Sequence, residues 1–239
     1  MGLRESYTQC TMRMVDLSHI IEEGMITYPG LPGPAITDHL TRADSSAIYA
    51  EGTTFQIGRL SMVANTGTYV DSPWHRFESG KDIAALPLES LADLEGVVIN
   101  TRRSSSRSIG ADFFSDLDLQ GKAVLIHTGW SRHWGTRQYF EGHPFLGELA
   151  VEVLARSGAA IVGIDSLNID DMAAMHRPAH SSLLEKEIPI VEHMANLHLL
   201  SGPFRFFAVP APVRGLGTFP VRAFAILGIS AVLPVNRAT

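Results

Sequence analysis

The densest run of reactive side chains is residues 65–75, Asn-Thr-Gly-Thr-Tyr-Val-Asp-Ser-Pro-Trp-His. Gly67 and Pro73 mark it as an ordered, turn-rich loop after a strand. Asp71 and His75 stand four residues apart. A carboxylate and an imidazole suit a divalent ion such as zinc or manganese. Taken alone, the pair reads better as a turn aspartate and a surface histidine. A second run, residues 176–193, carries His180 and Glu192 on either side of Leu183-Leu184 and a short apolar strand at 188–191. A carboxylate at the end of a buried strand is costly without a partner. A metal would supply that partner, and so would the guanidinium of Arg222.

The elements that position these runs read as a mixed α/β domain spanning residues 1–239. Compact apolar runs predict strands at 12–17, 97–100, 123–127, 160–164, 206–209 and 221–227, several bounded by glycine. Continuous runs of this kind suit strands buried on both faces. Residues 55–63 alternate with one slip, which a bulge at Gly58 explains. Leu146, Leu149, Val153 and Leu154 recur at helical spacing and predict a helix over 144–157, with Gly158 just beyond. Pro178 argues against a continuous helix over 175–184. Residues 112–117 allow a short helix, and the polar residues 101–108 read as a solvated loop.

Composition narrows the class. Hydrophobic residues make up 45% and charged residues 18%, enough apolar material for a core, which excludes a disordered chain. A net charge of −6 argues against a general nucleic-acid binder. The single cysteine, Cys10, excludes an internal disulfide framework and a cysteine-rich zinc module, and no histidine at a suitable spacing makes it a nucleophile. No uninterrupted apolar stretch suggests a membrane span, and residues 1–13 lack a signal-peptide run, so a cytoplasmic protein is expected. There is no G-x-S-x-G, G-x-G-x-x-G or Walker A pattern. His127, His133, His143 and His193 have no spacing that demands a metal and read as structural.

The 65–75 segment resembles the signature H-x-G-T-H-x-D-x-P-x-H of the metal-dependent cyclase/hydrolase family that includes bacterial kynurenine formamidase and isatin hydrolase. Gly67, Thr68, Asp71, Pro73 and His75 match in register. Arg177-Pro178-Ala179-His180, the Ile188-to-Glu192 stretch, Thr27-Tyr28-Pro29-Gly30, Thr128-Gly129-Trp130, His143-Pro144-Phe145-Leu146, Gly163-Ile164-Asp165-Ser166 and Pro220-Val221-Arg222 are similar to that family and occur in its order. Two departures stand out: the first two histidines of the pattern, both metal ligands in the family, are Asn65 and Tyr69 here. An amide oxygen is a weak zinc ligand, and a phenol with an ordinary pKa of about 10 is a rarer one.

The resemblance implies a swivelling β/β/α architecture, a mixed sheet closing on itself with few outer helices, and a homodimer or homotetramer. It leaves Asp71, His180 and Glu192 as ligands of one divalent ion, zinc or manganese, with His75 as general acid/base. Tyr28, Trp74 and Trp130 would line an aromatic pocket; as plain residues they read as core or rim aromatics, with the two readings equal for Trp130. Tyr69 could donate to a developing oxyanion. The activity implied is hydrolysis of an amide, N-formyl or lactam bond in a small aromatic molecule, with neither nucleic acid nor membrane as partner. The loss of two ligands keeps open a non-catalytic homologue that binds a small molecule, and a metal-free enzyme in which His75 works with Asp71 alone.

Overall fold

A computed structural model describes residues 12–228; Cys10 lies outside them. After β1 (Arg13–Asp16), a two-stranded antiparallel ribbon pairs β2 (Ala35–Leu40) with β3 (Ile57–Ser61), with the short helix α1 (Arg42–Ser45) between them. Then come β4 (Tyr69–Asp71), β5 (Leu94–Asn100), the two-residue β6 (Ser108–Ile109), β7 (Ala123–His127) and the two-residue β8 (Phe145–Leu146). Helix α2 (Glu148–Arg156), β9 (Ile161–Ile164), helix α3 (Pro178–Glu185), β10 (Ile190–Glu192), β11 (Phe204–Phe207), β12 (Thr218–Pro220) and β13 (Phe224–Leu227) complete the order.

Nine strands form one mixed sheet in the order β1-β13-β11-β5-β7-β9-β10-β4-β12, curled into a half-barrel. The central strands β5, β7, β9 and β10 run parallel, and antiparallel strands flank them on both sides. Alternation along β7 explains its unbroken apolar run. Ala123 and Leu125 enter one core, while Val124 and Ile126 enter a second core shared with the helices. Both faces are thus covered, the condition under which a strand loses its polar alternation.

The helical boundaries differ from the sequence expectation for physical reasons. Phe145 and Leu146 pair with Ser108 and Ile109 instead of starting a helix. The buried face of α2 is Ala150, Val151 and Leu154, while Leu149 points to solvent at 69% exposure. Pro178 starts α3 rather than interrupting a helix, because its missing N–H falls where a helix has no internal acceptor to satisfy. The irregularity near residue 58 sits on the opposite strand, between Asp38 and Leu40. Residues 112–117 hold only a 3-10 turn, at Ala111–Phe113. Among the described residues no helix is long and apolar enough to cross a membrane.

Candidate active site

Three adjacent strands place their polar side chains on one face of the sheet. In register, Glu192 of β10 lies opposite Tyr69 of β4, which lies opposite Pro220 of β12. The next row is Ile190, Asp71 and Thr218. Tyr69 and Asp71 share a face because they are two residues apart, and Val70 between them turns to the other side, into the core with Val191. The sequence therefore places two carboxylates on the sheet by strand alternation alone. Helix α3 lays His180 over them. Its Nε2 is 3.7 Å from Asp71 Oδ2 and 3.8 Å from Glu192 Oε1.

Asp170 fixes the His180 ring. Its Oδ2 accepts the Nδ1–H at 2.7 Å and the backbone N–H of His180 at 3.1 Å, and its Oδ1 accepts the N–H of Ala179 at 2.6 Å. The same carboxylate thus caps the start of α3, where Arg177 provides no side-chain cap. With Nδ1 committed to Asp170, Nε2 is the ring atom that faces the two carboxylates. This is the outer-carboxylate arrangement that orients metal-binding imidazoles.

His75 is held by a second relay. Thr218 donates its hydroxyl proton to Asp71 Oδ1, so its oxygen accepts from His75 Nδ1–H at 2.9 Å. That leaves Nε2 as the ring's second nitrogen, outside this relay. The turn Pro73–His75 is tightly backed: a Cβ on Gly217 would sit 2.5 Å from the His75 backbone, and one on Gly80 would sit 2.6 Å from Pro73 C.

The residues present fit a divalent cation. Asp71 Oδ2 is buried without a hydrogen-bond partner among the described residues, an expensive condition that a cation relieves. Asp71, His75 and His180 each offer one ligand atom, all within 4.8 Å of one another. Glu192 has a lesser claim, since Oε1 accepts the Ile169 N–H and Oε2 the Tyr69 hydroxyl, both at 2.7 Å.

Electrostatics point the same way. Burial opposes charge on Asp71, yet His75, His180 and the Thr218 hydroxyl hold its carboxyl below the ordinary range. Burial pushes Glu192 up, and His180 offsets this only in part. Burial also opposes a charged His180, but Glu192, Asp170 and Asp71 outweigh it and push the imidazole up to about 10. A site that draws a proton so strongly favours positive charge, which a divalent ion supplies in the proton's stead.

Tyr69 does not stand free to meet an oxyanion. Burial, then Glu192, push its phenol well above the ordinary value, so it stays protonated and donates to Glu192. Its oxygen accepts from His193 Nε2, 3.2 Å away, and His193 Nδ1 accepts the Tyr139 hydroxyl at 2.8 Å. Burial holds His193 neutral, down to about 3. His193 is thus part of the site's supporting chain rather than a remote structural histidine.

The donors open into a cavity of about 390 Å³ walled by Tyr28, Leu31, Asn65, Asn168 and Met172, with Arg76 and Arg177 also lining it. Tyr28 is in the expected place, donating to Leu167 O at 2.8 Å and accepting from Asn168. Trp74 and Trp130 are not on this wall. Trp74, 38% exposed, borders another depression beside Lys81 and Arg214, because the turn at 73–75 sends alternate side chains apart. Trp130 donates its indole N–H to Tyr139 O at 3.0 Å and packs on His133. Arg222 pairs with Asp16 on the surface, so it is not the partner of Glu192.

Asp170, Thr218 and His193 escape a reading of the sequence. Asp170 is one of two adjacent aspartates in a loop, and only tertiary contact distinguishes it from Asp171. The sole sequence signal for Thr218 is its place on a β-strand two residues before Pro220.

Comparison with known proteins adds an independent line. The Cyclase family model matches residues 15–171, a stretch that contains Asp71, His75 and Asp170. Kynurenine formamidase of Geobacillus thermodenitrificans (strain NG80-2) is 28% identical over 211 residues, 87% of this chain and 95% of that one. A solved structure described as a potential metal-dependent hydrolase with cyclase activity superposes with a TM-score of 0.75 at 26% identity, covering 92% of this chain and 100% of the other. Isatin hydrolase A from Labrenzia aggregata shares the fold, with a TM-score of 0.76 at 19% identity over 91% of this chain and 94% of its own.

Proposed function

The chain belongs to the Cyclase family, and from that premise we propose that it is a metal-dependent hydrolase opening an amide, N-formyl or lactam bond in a small aromatic molecule. The observation that carries this reading is the buried Asp71 Oδ2, without a hydrogen-bond partner among the described residues, with His180 Nε2 3.7 Å away. Asp71 and His180 are the core donors for one zinc or manganese ion, and Glu192 closes the negative side of the site. A divalent ion at such a site polarises a carbonyl and lowers the pKa of water.

The protein's own residues handle the proton. His75 presents Nε2 as a base, because Thr218 and Asp71 hold the proton on Nδ1. It takes a proton from water and returns it to the leaving nitrogen, the two-way role that suits an imidazole. Asp71 takes part in both halves, offering Oδ2 to the cation and Oδ1 to the relay. Tyr28 and Met172 supply the flat, apolar walls an aromatic ring needs. The relative named kynurenine formamidase supports a carbonyl–nitrogen bond as the target.

A second ion would lean on Asn65 and Tyr69. The Tyr69 phenol is already committed to Glu192, which supports a single tightly bound metal. A homodimer or homotetramer is also part of this reading. Its support is the ribbon β2–β3, which exposes Ile36, Ile57 and Leu60 by about half each, the kind of apolar surface that partners cover.

The test is metal-stripped protein assayed on an aryl formamide and on isatin, before and after addition of zinc or manganese. Activity should return with about one equivalent of metal per chain, and Asp71→Ala should lose both metal and turnover. Full turnover in the stripped protein, or full metal content in Asp71→Ala, refutes the reading.

A further inference from the structure

A second cavity, about 630 Å³, opens at the carboxyl ends of the parallel strands β5 and β7, where Asn100 and His127 lie side by side. In open α/β sheets this edge is where ligands bind. It shares no lining residue with the cavity over Asp71 and His180. We propose that this cavity is a second small-molecule site, which holds its ligand by an oxyanion, carboxylate or phosphate, between Arg102 and Arg132.

Three observations carry the proposal. First, both arginines line the cavity and pack against Gly129: a Cβ there would lie 3.0 Å from Arg102 Cδ and 3.5 Å from Arg132 Nη1. Among the described residues the Arg102 side chain donates to the Asn100 side-chain oxygen, and Arg132 donates to Gly129 O and the His133 ring. Neither has a carboxylate within ion-pair distance among the described residues. Two cations on one cavity, neither paired with a carboxylate, suit an anion that takes hydrogen bonds from both.

Second, the surrounding groups do not cancel that charge. Glu22 lines the cavity but is exposed and pairs with neither arginine. Among the lining side chains two guanidiniums stand against one carboxylate. Asp165, beneath the wall, accepts from Thr128 and Gly129 and lies 3.9 Å from His127 Nε2, and it is at ion-pair distance from neither arginine.

Third, one lining residue, His19, carries a buried polar ring atom. His19 Nε2 has no hydrogen-bond partner among the described residues. Its ring lies flat on Trp134, centroids 3.8 Å apart at 4°. Both residues line the cavity, so the stack gives it an aromatic side on which a ligand's ring can pack.

Inorganic phosphate and benzoate are the probes, titrated calorimetrically into the full-length protein at constant ionic strength in chloride. Binding of either supports the site, and the tighter of the two identifies the oxyanion. Arg102→Gln and Arg132→Gln, both at exposed positions, should each weaken binding about tenfold. His180→Ala, which removes a metal donor, should bind as the parent does, so failure of the hydrolase reading leaves this result untouched. A crystal grown with selenate gives an independent location from the selenium signal. Unchanged affinity in both arginine variants, no binding of either probe at tens of millimolar, or selenate found only at the metal cluster overturns the proposal.

Discussion

Replacing Asp170 by asparagine tests whether metal binding depends on a side chain placed behind the ligand. Asp170 accepts three hydrogen bonds, from Ala179 N–H, His180 N–H and His180 Nδ1–H. Asparagine keeps the shape but turns one of the two terminal atoms into a donor. If that nitrogen takes the place of Oδ2, the His180 ring must accept at Nδ1 and carry its proton on Nε2, where it can no longer ligate. If it takes the place of Oδ1, the Ala179 N–H is stranded and the imidazole loses the negative charge behind it. Either arrangement lowers metal affinity about 10–100-fold, which is about 1.4–2.7 kcal/mol. The stranded backbone N–H costs a further ~1–3 kcal/mol of folding stability. Competition for zinc or manganese against a chromogenic chelator reads the first effect, and thermal unfolding of metal-free protein reads the second. An affinity within about threefold of the parent's would refute the argument that Asp170 sets the tautomer of His180.

Three further outcomes are expected. His75→Ala should keep its metal and lose ~10²–10⁴-fold in kcat; loss of metal in parallel, measured by elemental analysis, would make His75 a ligand first and a base second. Gly217→Ala should cost ~1–3 kcal/mol in thermal unfolding, because its Cβ meets the His75 backbone rather than a flexible side-chain end. Its kcat should fall while its metal content holds, since the displaced group is His75. His19 is held by burial at about 4, below its ordinary 6.5, so the unfolded chain takes up the proton first as pH falls. That contribution to stability is present above pH 6.5 and is lost as pH falls toward 4. His19→Gln should therefore lose less stability than the parent between those values in phosphate-free urea titrations, and equal slopes would count against it.

How far the sequence reveals this depends on whether local pattern or distant contact decides each feature. Strand β7 is legible to the residue, because an apolar run bounded by Gly121 and Thr128-Gly129 can be little else. Asp71, His180 and Glu192 fall together because strand alternation and one helix determine their directions. The pocket aromatics are a different matter. Nothing local says that Trp74 turns away or that Trp130 spends its N–H on Tyr139 O, nine residues on. The start of α2 is also hidden, since Phe145 and Leu146 fit a helical pattern until β6 claims them. Thr218 acts through a contact 147 residues away, beyond any local window, while Asp170 lies only 10 residues before His180, across a loop with no period to say that Asp170 and not Asp171 turns toward the ring.

The donor atoms and the cavity walls rest on different parts of the fold. Asp71, Glu192 and Thr218 sit on strands, and His180 sits on a helix that packs against the second core. Leu31 and Met172, by contrast, project from connecting segments and are 40% and 37% exposed. Surface connections tolerate replacement far better than buried elements do. Selectivity can therefore drift, under natural selection or in a library limited to Leu31 and Met172, without disturbing the chemistry underneath. A lineage built this way can acquire a new substrate before it needs any new catalytic group.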